Sequence, residues 1–114
     1  MVLAAALLVA CSSPTVQAPA PAPQRPPEQE VPRQDASSGL RIEAAELRKQ
    51  GELERAEGLL LRAQRIDPRN ALVYLALAEL YQDMGDYYAS SRIAERGLLY
   101  CAGSTCKELN QLIQ

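Results

Sequence analysis

The sequence predicts an all-α domain: two antiparallel helix pairs and a C-terminal capping helix, behind a disordered N-terminal linker. Three observations predict it: a self-similar period of 34 residues, apolar residues at helical spacing inside each period, and proline concentrated in the front third of the chain. The period is read from paired positions: Leu40 with Tyr74, Ala44 with Ala78, Leu47 with Tyr81, Gly51 with Gly85, Ala56 with Ser90, Leu60 with Ala94, and Ala63 with Gly97. Each pair matches in size class or backbone role.

Taken in order, the first element is residues 1–10. The apolar run Val2 to Ala10 is far short of the roughly 20 residues that span a bilayer, but it has the length of the apolar core of an export signal. The second element, residues 11–39, holds Pro14, Pro19, Pro21, Pro23, Pro26, Pro27 and Pro32 among Ala, Gln and Ser. So few bulky apolar groups cannot offset the entropy of ordering a chain, and the segment reads as a linker. As polyproline II it would reach roughly 90 Å, against about 30 Å for a flexible coil.

The third element, residues 40–114, is the domain. "QGELERA" and "MGDYYAS" each place a glycine where a helix closes in the left-handed conformation, followed by an acidic residue that opens the next helix. Each period is therefore helix, tight turn, helix. Between the periods, Pro68 disfavours helix at Asp67, and Asn70 is placed to cap the following helix. Small residues at Ala44, Ala56, Ala63, Ala78 and Gly97 leave room for close helix approach. Two periods are few for a stack whose units bury one another, so the end needs a cover. "STCKELNQLIQ" supplies it, with a capping box expected at Thr105 and Glu108 and with Leu109, Leu112 and Ile113 facing inward.

These residues resemble two known patterns. Gly51-Glu52-Leu53, Ala56, Ala63 and Asp67-Pro68, then Tyr74, Leu77, Ala78, Tyr81, Gly85-Asp86-Tyr87 and Gly97, resemble the tetratricopeptide repeat (TPR) over most of residues 37–100. Two departures stand out: Glu43 where the pattern has an apolar residue, and Ser90 where it has Ala. At the front, Leu8-Val9-Ala10-Cys11 resembles the lipobox of bacterial lipoproteins. That resemblance implies cleavage before Cys11 and a lipid anchor on its thiol and new amino group. Several acyl chains, at about 0.8 kcal/mol per buried CH₂, hold a protein on a membrane where one chain would not. Ser12 after the cysteine resembles lipoproteins sorted to the outer membrane, which would leave the domain facing the periplasm.

In that oxidising compartment, with Cys11 lipidated, Cys101 and Cys106 remain as a pair. A disulfide is the expected state. Metal and redox sites are the rival readings, and a chain without histidine offers few ligands for zinc. The same absence removes most nucleophilic and general-base arrangements, so no enzyme, no catalytic residue and no cofactor is expected. A net charge of -2 argues against nucleic-acid binding. Nor does any phosphate-cradling glycine loop point to a small-molecule substrate.

Binding to a protein partner is left. In TPR folds the first helix of each pair lines the face that takes a partner segment. The resemblance assigns that face to Arg41, Ala45, Arg48 and Lys49 in the first period, and to Leu75, Glu79, Gln82 and Asp83 in the second. Tyr74, Tyr81 and Tyr87 are expected in the core, and Tyr88 and Tyr100 at the surface. The order of anchor, long arm and small head resembles the outer-membrane lipoproteins that stimulate bifunctional penicillin-binding proteins in peptidoglycan synthesis. The alternative is a TPR scaffold or pilotin-type adaptor for secretin, pilus or other outer-membrane machinery.

Overall fold

The computed structural model describes residues 32–114, together with residues 12–14, 18 and 20. The expected signal 1–10, the lipidation site Cys11 and most of the linker lie outside the described residues. Among the described residues there are five helices: α1 (Arg33–Lys49), α2 (Leu53–Ile66), α3 (Ala71–Asp83), α4 (Tyr87–Gly97) and α5 (Ser104–Gln111). Among the described residues there is no strand.

The first helix begins at Arg33, inside the span 11–39 that the composition assigns to the linker. Ser38 and Gly39 are weak helix formers, and tertiary contact overrides them. The Ser37 side chain is wholly buried. Its Oγ donates to the Gln34 carbonyl at 3.1 Å and accepts from Asn70 Nδ2 at 3.2 Å. Asn70 is also the expected cap of α3, its Oδ1 accepting the Leu72 N–H at 3.1 Å. One asparagine thus caps α3 and holds the first turn of α1 against it.

The 34-residue register repeats down to single hydrogen bonds. After α1, Gly51 N–H donates to Arg48 O at 3.0 Å and Glu52 N–H to Leu47 O at 2.9 Å. After α3, Gly85 N–H donates to Gln82 O at 2.9 Å and Asp86 N–H to Tyr81 O at 2.8 Å. These are the paired bonds of a Schellman closure, which requires a left-handed residue. Gly51 at φ 78° and Gly85 at φ 79° supply it. Turns this short fold each helix back on its predecessor, and α1 packs most extensively on α2, and α3 on α4.

Two apolar clusters follow. The first joins Ala44 and Leu47 of α1, Ala56, Leu60 and Ala63 of α2, and Val73, Leu77 and Leu80 of α3. In the second, Leu75 and Ala78 of α3 meet Ala94 of α4 and Leu109 of α5. Ser90, the departure from Ala, is buried and donates from Oγ to the Ala78 carbonyl at 2.7 Å, so its hydroxyl is satisfied.

The capping helix is present, but the Thr105–Glu108 capping box is not. Gly103, at φ 60°, occupies the cap position, no side chain caps the helix, and Thr105 already lies inside it. The Cys101–Cys106 disulfide is formed, with Cα atoms 5.2 Å apart. This bridge makes the chain reverse through Gly103, which starts the helix one residue ahead of Thr105. It also ties the end of α4 to the first turn of α5, whose Leu109 is fully buried. Replacing both cysteines by serine is expected to lower stability by about 2 kcal/mol, the chain-entropy value for so short a loop. Urea denaturation of the variant against the oxidised protein checks it.

Tyr87, expected in the core, is 55% exposed. Its counterpart Leu53 packs against the first cluster, but among the described residues only the short α5 follows α4, and it leaves Tyr87 uncovered. Tyr74 is buried as expected, its hydroxyl donating to Pro68 O at 2.6 Å and its ring stacked 5.8 Å from that of Tyr100.

Candidate functional site

Two helices position the residues assigned to binding. On α1, Arg41, Ala45 and Arg48 recur every three or four residues and share one stripe, with Lys49 beside it. On α3, Glu79, Gln82 and Asp83 form the facing stripe. The helices meet in a groove of about 100 Å³ lined by Arg41, Ala44, Ala45 and Arg48 from α1, Leu60 from α2, and Ala76, Glu79 and Leu80 from α3. A second, shallower depression continues it over Ala45, Arg48, Lys49 and Asp83. Alanines form much of the floor because bulkier side chains there would hold α1 and α3 apart.

Arg48 bridges the two stripes. Its Nη1 donates to Glu79 Oε2 at 2.8 Å and its Nε to Asp83 Oδ2. The hydrogen bond to Asp83, joined by the charges of Asp83 and Glu79, raises the guanidinium above its ordinary value, while burial opposes the rise. Arg48 is therefore a tie between α1 and α3. Lys49 pairs along its own helix, with Nζ 3.0 Å from Glu46 Oε1. Gln82 lies half-buried beside Asp83.

Leu75 does not join this face. It is 8% exposed and packs in the second cluster with Leu109, because α5 covers the side of α3 that a binding surface would need open. The remaining seven assigned residues share the α1/α3 face, and Arg41 has a feature the sequence does not signal. Its Nε is buried and has no hydrogen-bond partner among the described residues.

No family model, curated protein or solved structure matches the chain. The site is therefore read from its own chemistry. Among the described residues, no group of three or more His, Cys, Asp and Glu is placed to hold a metal ion. No described helix is long and apolar enough to cross a membrane.

Away from this face, Tyr88 is 74% exposed on α4, with the Arg92 guanidinium 5.9 Å from its ring centroid. Beside it, Tyr81 is half-buried and donates its hydroxyl to Glu57 Oε1 at 2.8 Å. Burial first, then the bond to Glu57 and the charges of Glu57 and Asp86, push this phenol up to about 12. An unfolded tyrosine ionises near pH 10, so above that pH the unfolded chain releases the proton more readily than the folded one. The stabilisation is thus complete below pH 10 and is lost as pH rises toward 12. Tyr81→Phe should flatten the decline in melting temperature over that window; an unchanged slope would show that Tyr81 does not cause it.

Proposed function

We propose that this domain is a TPR-type head that binds a segment of a partner protein on its α1/α3 face, without enzymatic chemistry of its own. The observation that carries the reading is the repetition of the 34-residue register in both turns, down to the paired hydrogen bonds at Gly51–Glu52 and Gly85–Asp86. The α1/α3 face supports it. It is grooved and floored with alanine, and it is flanked by Arg41 and by the Arg48–Glu79–Asp83 bridge.

The order of parts extends the proposal. A lipid on Cys11 would anchor the chain in the outer membrane, and the proline-rich segment would carry the head across the periplasm. There it would bind a bifunctional penicillin-binding protein and stimulate peptidoglycan synthesis. Binding favours the active form of such a synthase only in proportion to the head's differential affinity for that form. The length of the arm would limit where contact occurs.

A photoreactive residue in place of Ala45, which is exposed at the edge of the groove, tests the reading. Crosslinking in envelope membranes should recover a bifunctional penicillin-binding protein, whose glycan polymerisation should then rise when the head is added. Recovery of secretin or pilus machinery instead would make the protein an assembly adaptor and overturn the activator reading. Halving the linker separates the same two outcomes. It should abolish activation of an inner-membrane synthase and leave an outer-membrane partner unaffected.

A further inference from the structure

We propose that Arg41 is the contact residue of the α1/α3 groove and that the partner segment brings it a single Asp or Glu carboxylate. The inference rests on the reading of that face as the binding surface and names the chemistry it selects.

The cations of the face have different commitments. Arg48 is held by Glu79 and Asp83, and Lys49 by Glu46. Among the described residues, no carboxylate lies within ion-pair distance of Arg41. Its Nε is a buried donor without an acceptor among those residues. Such donors are rare in folded proteins, and each leaves a desolvation cost that an incoming acceptor relieves. A guanidinium accepts no hydrogen bond, so the ligand must supply the oxygen. Its planar fork matches a carboxylate, which can take Nε–H and one Nη–H together once the side chain turns toward the groove mouth.

Size and charge narrow the choice. The groove, about 100 Å³, is smaller than the roughly 150 Å³ that accommodates a benzene ring, and larger than the roughly 30 Å³ share of one water. It suits a short acidic side chain and excludes an aromatic one. A second carboxylate beside the first would approach Glu79 and Asp83, whose charges Arg48 only balances in part, and would be repelled. The groove and its shallower continuation share Ala45 and Arg48. They form one trough along the helices, shaped for a segment passing over the face.

Nuclear magnetic resonance of the arginine Nε–Hε groups tests this on the whole chain with its disulfide intact. The probe is an N-acetylated, C-amidated pentapeptide, Ala-Ala-Glu-Ala-Ala, and the control carries Gln in place of Glu. Titration up to about 10 mM should move the Arg41 signal saturably and leave the Arg48 signal in place, with the Gln peptide at least about tenfold weaker. Arg41→Lys keeps the charge but loses the fork, and it should abolish the saturable shift that the Glu peptide gives the Ala45 backbone N–H in the same groove, while the circular dichroism spectrum is unchanged. Equal response to Glu and Gln peptides, movement of Arg48 instead of Arg41, or no saturable shift would each overturn the assignment. If crosslinking through position 45 succeeds while Arg41 stays silent, the binding face stands and the carboxylate assignment falls. If both fail, the reading of the face falls with it.

Discussion

Leu77→Ala is expected to lower the unfolding free energy by about 2 to 5 kcal/mol, a large share of what a domain of this size has. Leu77 is fully buried in the first cluster, where α3 meets Ala56, Leu60 and Ala63 of α2. With Val73 and Leu80 it joins the second helix pair to the first. Truncation would open a cavity between two units, neither of which buries its own face alone. A domain of this size is worth about 4 to 12 kcal/mol in all, at 0.05 to 0.15 per residue. Urea denaturation followed by circular dichroism should therefore show a midpoint lowered by about 1 M or more. Leu72→Ala on the same helix is the control: Leu72 is exposed, and the change should cost well under 1 kcal/mol. Similar losses at both positions would mean that Leu77 does not join the units.

Leu77 also explains why Glu43 departs from the repeat pattern. The two residues are counterparts in the period, but no helix pair precedes α1 among the described residues. Glu43 therefore lies exposed where Leu77 is buried. Position in the stack decides burial, and a single period carries no sign of it. The same reasoning covers Tyr87, exposed because among the described residues only the short α5 follows α4, and Leu75, buried because α5 lies across it.

Legibility in the sequence thus followed the range of the forces. The turns at Gly51 and Gly85 and the cap at Asn70 are local, and their residues declare them. The start of α1 does not, since Ser37 becomes helical and buried through a bond to Asn70, 33 residues away. At the candidate site, helical periodicity puts Arg41, Ala45 and Arg48 on one stripe, and the resemblance to the repeat pattern is what singled that stripe out. The division of labour within it does not. Which arginine is tied to a carboxylate and which has none among the described residues depends on where α3 places Glu79 and Asp83, a tertiary fact.

Gly97→Val should cost about 3 kcal/mol and Gly97→Ala roughly half that, whereas Gly58→Ala should stabilise by about 0.5 to 1 kcal/mol. All three changes are made at helical glycines, so helix propensity favours each alanine. The surroundings reverse the sign at one of them. A Cβ on Gly97 would lie 2.8 Å from the Tyr74 Cβ and 3.0 Å from both terminal carbons of Leu109. Leu109 can turn its side chain, but the Tyr74 Cβ moves only with the α3 backbone. Tyr74 is further held by its bond to Pro68 and its stacking on Tyr100. Around Gly58 nothing lies within 4 Å, so a methyl group there meets only solvent and removes entropy from the unfolded chain. Gly97's counterpart Ala63 tolerates its methyl between α1 and α2, which shows that the period conserves smallness and the local crossing decides how small. Chemical denaturation of the three variants checks this; stabilisation by Gly97→Ala equal to that by Gly58→Ala would mean that α3 and α4 have room to separate.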